Sequence, residues 1–153
     1  MENILILYAS LTGNTEEIAE ILHEELQKHG CVVRKKSFDQ GFIDAKELAE
    51  YDGILFGTYT YDEGSLPFEV EDFYEDLDSV DLKGKVVSVF GSGDTFYAHF
   101  ALAVDTMAEK FADLGAKVVG ERLKIELDPD EKDRKKCREI VDEFCNTLQC
   151  QQV

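Results

Sequence analysis

The stretch NILILYASLTGNTEE, residues 3–17, is the part of this sequence that decides the fold. Its apolar run, residues 4–8, predicts a strand buried on both faces of a sheet. A loop of hydroxyl, amide and glycine residues follows, and then a helical pattern begins. Such loops bind phosphate because the helix behind them points N–H groups and the positive end of its dipole at the ligand. This loop has no Lys or Arg, and Glu16 and Glu17 follow it directly. Any phosphate there would therefore bind to neutral donors.

Strands and helical patterns alternate along the rest of the chain. The strands are predicted at residues 4–8, 31–38, 51–58, 86–91 and within 117–127, with 31–38 at an edge of the sheet. Between them lie a helix ending near residues 28–30, a short helix or turn at 43–50, and helices at 68–77, 100–114 and 130–148. Several apolar side chains are expected to face the core from the helices: Phe68, Phe73, Leu77, Ile140, Val141, Phe144 and Leu148. This pattern predicts an α/β fold, a doubly wound five-stranded parallel sheet with helices on both faces, in a single domain of residues 1–153.

Composition restricts the partners of this chain. It has 153 residues and a formal net charge of -17, which argues against nucleic acid and anionic membranes and favours proteins with basic docking patches. The four cysteines, Cys31, Cys137, Cys145 and Cys150, form neither a C-x-x-C motif nor a zinc spacing. We expect reduced thiols, with Cys137 and Cys145 covering the core, and no metal site. The absence of a signal-like or membrane-length apolar run predicts a cytoplasmic protein.

Ligands of such sheets bind outside the carboxyl ends of the strands, so three loops matter. In the first, residues 10–15, hydroxyl donors and the helix end could hold a phosphate; alternatively, Asn14 and Glu17 could only form a capping box. In the second, residues 58–64, Tyr59 and Tyr61 are expected to point outward as stacking platforms, although one tyrosine could simply cover the end of the sheet. In the third, residues 91–97, paired glycines let the backbone turn, and Tyr97 offers another platform. Together the loops predict a ligand with a phosphate, a linker and a flat heteroaromatic ring.

These loops resemble those of the short-chain flavodoxins, and the resemblance covers the whole chain. SLTGNT (10–15) is similar to the phosphate motif of that family, FGTYTYDEGSLP (56–67) to the loop over the re face of the flavin, and FGSGDTFY (90–97) to the loop over the si face. The resemblance implies the strand order 2-1-3-4-5 and bound FMN. It also implies a monomeric, low-potential carrier of single electrons between a flavodoxin or ferredoxin reductase and acceptor enzymes, and not a stand-alone enzyme.

The resemblance also assigns roles to residues. Side chains of Ser10, Thr12, Asn14 and Thr15, with the backbone from Leu11 through Gly13 to Thr15, would bind the phosphate. Tyr61 would stack on the re face and Tyr97 on the si face, while the backbone of Ser92, Gly93 and Asp94 would meet the pyrimidine edge. Asp62 would carry the carbonyl that turns toward the flavin on reduction. The expected site is completed by Tyr59, Thr60, Glu63 and His99, and His99 could instead only face solvent.

Two other flavodoxin-like functions stay open at this point. One is an NAD(P)H-dependent FMN quinone or azo reductase, for which the chain offers little extra length. The other is an activator of a ribonucleotide reductase, although the loop TYTYDEG (58–64) resembles that of a carrier. Residues 62–81 contain nine acidic residues and no Lys or Arg. Negative charge near a flavin disfavours its anionic reduced form. The reduced flavin then gives up its electron more readily, as a strong reductant requires.

Overall fold

A parallel sheet is built outward from its central strand, β1 (Asn3–Tyr8). In the computed structural model, which describes residues 3–10, 13–40, 43–59, 66–93, 102–120, 123–126 and 129–151, β1 lies between β2 (Val32–Ser37) and β3 (Gly53–Tyr59). β3 pairs with β4 (Val86–Gly93), and β4 pairs with the short strands β5 (Lys117–Val118) and β6 (Leu123–Glu126). The order β2-β1-β3-β4-β5 confirms the expected topology and places the basic strand β2 at the edge.

Four α-helices are described: α1 (Asn14–Lys28), α2 (Phe68–Asp76), α3 (Leu102–Asp113) and α4 (Glu131–Gln151). Short 3-10 helices occupy Phe38–Gln40, Ala45–Glu50 and Leu77–Ser79. The start of α4 is fixed by a reciprocal cap, in which the Asp133 N–H donates to Asp130 Oδ1 at 2.9 Å and the Asp130 N–H donates to Asp133 Oδ2 at 3.0 Å. Within the described part of the chain, no helix combines the length and apolarity that crossing a membrane requires.

The two faces of the sheet support two separate hydrophobic clusters. Ile4 and Ile6 of β1 belong to the cluster under α1 and α4, while Leu5 and Leu7 belong to the cluster under α2 and α3. This alternation follows from the period of two along a strand. Burying each such side chain contributes about 1.5–3 kcal/mol, so β1 has to be apolar at every inner position. The four side chains expected to face inward from α4, together with Cys137 and Cys145, are buried as predicted.

Two details of the expected fold are wrong. Phe68 is 83% exposed, because α2 buries Val70 and Phe73 and a residue two positions before Val70 lies about 200° away around a helix. The fifth strand is not continuous: it is divided into β5 and β6, and Gly120 between them has a φ of 77°. A left-handed residue cannot continue a strand.

Candidate functional site

The carboxyl ends of β1, β3 and β4 bring the starts of the three predicted loops to one edge of the sheet. Tyr8 is paired with Gly57 and Tyr59 with Ser92 in the strand register. The Ala9 N–H continues the ladder by donating to the Gly57 carbonyl at 2.9 Å. Ser10, Tyr59 and Ser92 therefore begin their loops side by side, as the topology predicts.

The first loop is organised around the hydroxyl of Ser10. Its Oγ accepts hydrogen bonds from the N–H groups of Gly13 at 3.1 Å and Glu16 at 3.3 Å. A serine hydroxyl has two acceptor lone pairs and one donor hydrogen. With both lone pairs engaged, its remaining capacity is to donate. The Ser10 hydroxyl is thus suited to an acceptor such as a phosphate oxygen.

The N-cap residue of helix α1 has no side chain, and the N–H of Glu16 in the first turn donates instead to Ser10 Oγ. This N-cap residue is Gly13, with a φ of 94°. The capping box of Asn14 and Glu17 considered above is therefore wrong, because Asn14 is already the first residue of the helix. A Cβ added to Gly13 would have no described atom within 4 Å, so the space beside this residue is not filled by the described part of the chain. Space, a helix N-terminus and a donating hydroxyl fit an anion.

A buried hydroxyl pair joins the first loop to the third. Thr15 Oγ1 lies 2.6 Å from Ser92 Oγ, and the two residues are 1% and 5% exposed. Whichever hydroxyl donates, the other keeps one hydrogen to donate elsewhere. Every buried side-chain N or O atom in the described residues has a hydrogen-bond partner. The pair therefore fixes the start of α1 against the end of β4.

Tyr59 at the end of β3 does not point outward as expected. It is half-buried against the cluster under α2 and α3, and its hydroxyl donates to Glu69 Oε1 at 2.9 Å. Tyr59 thus covers the end of the sheet and connects β3 to the first turn of α2. Glu69 was missed by the sequence analysis, since nothing in its neighbourhood distinguishes it from the other acids of α2.

The glycine Gly91 in β4 is required by close packing rather than by a turn. A Cβ at this position would lie 2.3 Å from the Thr58 carbonyl oxygen and 2.4 Å from Val104 Cγ2. Both distances are far below van der Waals contact. The ends of β3 and β4 can approach each other and α3 only because residue 91 has no side chain, so Gly91 sets the shape of this edge.

The electrostatic environment of the edge is acidic. No Lys or Arg precedes Lys28 in the sequence. Lys124, which is paired with Gly91 in the sheet register, is neutralised by Asp105, with Nζ 2.5 Å from Oδ2. Burial, followed by the charge of Glu16, raises the pKa of Tyr8 above its ordinary value, so this phenol stays neutral. In α2, Glu71, Asp72, Glu75 and Asp76 are exposed to solvent.

The structure describes only part of the predicted site. Described are Ser10, Gly13, Asn14, Thr15, Tyr59, Ser92 and the backbone of Gly93. Nine predicted residues lie outside the described ranges: Leu11, Thr12, Thr60, Tyr61, Asp62, Glu63, Asp94, Tyr97 and His99. The described residues of the first and third loops converge, and Tyr59 stands beside them at the end of β3.

The fold and this edge of the sheet define a class of protein. It is a doubly wound α/β protein whose first loop offers neutral donors suited to a phosphate. The family model described as Flavodoxin matches residues 6–140. The chain is 40% identical to the "Probable flavodoxin 1" of Bacillus subtilis over 145 residues, which covers 94% of this chain and 90% of that protein. It is 46% identical to the oxidised Flavodoxin 2 of Bacillus cereus, with a TM-score of 0.90 and coverage of 95% and 99%. The chain therefore belongs to the flavodoxin family, whose members are FMN-based electron carriers.

A more distant structure carries the cofactor. The flavodoxin of Fusobacterium nucleatum bound to flavin mononucleotide is 21% identical, with a TM-score of 0.79 and coverage of 96% of this chain and 99% of that one. At this identity the likeness shows a shared fold.

Proposed function

We propose that this chain binds one FMN at the carboxyl edge of the sheet and carries single electrons between a reductase and acceptor redox enzymes. The observation that carries the proposal is the arrangement of the Ser10, Thr15 and Ser92 hydroxyls around the start of α1. The hydroxyls of Thr15 and Ser92 face each other. The Ser10 hydroxyl already accepts two hydrogen bonds, so it can only donate its hydrogen. When bound, FMN supplies the one-electron chemistry, and the residues of this edge bind and orient it.

The proposed binding residues extend beyond the described ranges. We infer that the backbone and side chains of the first loop hold the phosphate, and that the second and third loops cover the ring. The complete proposed set is Ser10, Leu11, Thr12, Gly13, Asn14, Thr15, Tyr59, Thr60, Tyr61, Asp62, Glu63, Ser92, Gly93, Asp94, Tyr97 and His99. Tyr59 acts in this proposal by connecting β3 to α2 next to the ring-covering loop, and not by stacking.

The proposed partners are proteins with basic docking patches. The exposed acids of α2 and the net charge of -17 support this, because complementary charge steers diffusional encounter and raises association rates. Phe68, at 83% exposure, adds an apolar side chain at the start of the same acidic helix. We propose a cytoplasmic carrier that depends on a separate reductase rather than a stand-alone catalyst.

The first test is the visible spectrum of the purified protein, followed by chromatography of the flavin released on heating. We expect a yellow protein that releases one FMN per chain, and dithionite should reduce it in two one-electron steps. Release of FAD, or a colourless protein that does not take up FMN, would contradict the proposal. Sustained oxidation of NADPH by the protein alone would instead support a flavin-dependent reductase.

A second test addresses the phosphate contact specifically. Riboflavin lacks the phosphate, so the ratio of FMN affinity to riboflavin affinity measures the contribution of the first loop. Removing the Ser10 hydroxyl in Ser10→Ala should weaken FMN binding by roughly tenfold or more, since a hydrogen bond to a charged group contributes about 1.5–3 kcal/mol. Riboflavin affinity should change little. Equal losses for both ligands would show that Ser10 acts only through the local fold.

A further inference from the structure

Two cysteine side chains meet at the end of the sheet opposite the first loop. The Sγ atoms of Cys31 and Cys145 are 3.9 Å apart, although the residues are separated by 114 positions in the sequence. Cys31 is partly exposed between α1 and β2, and Cys145 is buried in α4. We propose that these two thiols form a reversible disulfide bond, which makes the pair a redox modification site joining α4 to the turn between α1 and β2.

The surrounding structure holds the two thiols in this position. The turn after α1 is fixed by Gly30, with a φ of 79°, and by a hydrogen bond from the Cys31 N–H to the Leu26 carbonyl at 3.4 Å. A second contact connects the same elements: His29 Nε2 lies 2.8 Å from Asp142 Oδ1. Asp142 and Cys145 are three residues apart, so they lie on one face of α4. Two neighbouring contacts thus align the turn with the helix.

The sulfur atoms need to approach by only about 2 Å to reach the bond length of a disulfide, which is about 2.05 Å. A movement of this size is within the reach of side-chain rotation at the partly exposed Cys31. Cys137 provides a contrast in the same cluster: it is 0% exposed, and burial raises the pKa of its thiol to about 12. Since the thiolate is the reactive form, Cys137 should not react, and we expect Cys31 to react first.

A low-molecular-weight disulfide such as oxidised glutathione is the oxidant that the proposal requires. The Cys31 thiolate attacks one sulfur of glutathione disulfide, which forms a mixed disulfide and releases one glutathione thiolate. The Cys145 thiolate then attacks the Cys31 sulfur and displaces the second glutathione. In total, two protein thiols lose two protons and two electrons, and glutathione disulfide is reduced to two thiols. A dithiol reductant reverses the reaction by the same exchange.

The position of the pair predicts what the bond would change. Cys31 precedes β2, whose first residue Val32 is paired with Asn3 at the amino end of β1. The proposed flavin edge lies at the opposite ends of these strands. The crosslink would close a long loop of the unfolded chain, so the loop-entropy argument predicts a rise in melting temperature of about 10 °C. Flavin affinity should change little.

The experiment uses the purified full chain with Cys150→Ser, which leaves the buried Cys137 as the one thiol outside the pair. The protein is incubated with oxidised glutathione, alkylated under denaturing conditions and mapped by mass spectrometry. We expect a peptide pair joined through Cys31 and Cys145, a mass lower by two hydrogen atoms, and a higher melting temperature that dithiothreitol reverses. The same protein with Cys31→Ser should show none of these changes.

Two results would overturn the proposal: complete alkylation of Cys31 and Cys145 after oxidation, or a mixed disulfide at Cys31 that never resolves. A crosslink that forms without raising the melting temperature would support the bond and refute the loop-entropy argument. All of these readouts can be taken on the flavin-free protein. The proposal can therefore fail while the electron-carrier function stands, and the reverse also holds.

Discussion

The hydrogen bond between Thr15 and Ser92 allows a quantitative test of how the site is assembled. The two hydroxyl oxygens are 2.6 Å apart and buried, and the two residues are 77 positions apart in the sequence. In Ser92→Ala, the Thr15 hydroxyl stays buried and loses this partner. In Thr15→Val, the same is true of the Ser92 hydroxyl. The double variant removes both hydroxyls, so no buried hydroxyl is left without its partner.

The expected loss of unfolding free energy depends on whether one partner of a buried hydrogen bond is removed or both. Leaving one buried polar group unsatisfied costs about 1–3 kcal/mol, whereas replacing both partners by apolar groups of similar shape is nearly neutral. Each single variant should therefore lose about 1–3 kcal/mol of unfolding free energy. The double variant should lose about 1 kcal/mol or less, so the coupling energy of the cycle should be at least about 1 kcal/mol, as for residues in direct contact.

The assay is urea unfolding of the four apoproteins, because bound FMN would add its own stabilisation to every value. Thr15→Ser is the matched control: it keeps the hydroxyl and should keep most of the stability. FMN affinity gives a separate readout, since we expect Thr15→Val to bind FMN more weakly while riboflavin affinity is maintained. If the losses of the single variants simply add in the double variant, the two hydroxyls do not stabilise each other and this account of the edge is refuted.

Three further predictions concern packing, charge and pH. Gly91→Ala should lose about 1–3 kcal/mol of unfolding free energy, because its Cβ would overlap the Thr58 carbonyl oxygen and Val104 Cγ2; an unchanged melting temperature would contradict this. The electron-transfer rate to a basic acceptor such as cytochrome c should fall steeply between 0.1 M and 1 M salt, where the Debye length drops from about 10 Å to about 3 Å; a flat rate would indicate apolar docking. Hydrogen bonding to the Asp133 N–H lowers the pKa of Asp130 in the fold. Its contribution to stability is therefore present above the unfolded pKa of about 3.9 and is lost as the pH falls through the folded value. Asp130→Asn should remove this part of the acid dependence in melting curves, and an identical pH profile would refute it.

The strand and helix pattern could be predicted from the sequence where local signals agreed. The helical periodicity of α4 indicates a helix directly, and the apolar run of β1 is too short for a helix and is bounded by a polar loop, which favours a strand. At Phe68 the prediction was wrong because it depended on the apolar character of the residue and not on its spacing. An apolar residue near a helix was expected to face inward, but the spacing of Val70, Phe73 and Leu77 already excludes a residue two positions before Val70 from the buried face. In the same way, Gly120 within the fifth strand was a signal for an interruption.

The contacts of the site could not be predicted in the same way. Tyr59 and Glu69 are separated by 10 residues, and Thr15 and Ser92 by 77. Such pairs form only when strands and helices from different parts of the chain pack together. The sequence identifies residue types suited to phosphate or to a flat ring. The sequence does not determine which of these hydroxyls faces a ligand and which forms a hydrogen bond with another hydroxyl of the protein.

The proposed neutral phosphate site is consistent with the charge of the whole molecule. A lysine in the first loop would bind a phosphate more strongly, but its positive charge would also act on the flavin and favour the anionic reduced form, which raises the potential. Hydroxyls and N–H groups bind the phosphate without that effect. The edge can therefore hold a proposed dianionic ligand while Lys124 is neutralised by Asp105 and α2 stays acidic. The donors that make the first loop unusual as a proposed phosphate site are thus the ones that would suit the proposed low-potential carrier with a net charge of -17.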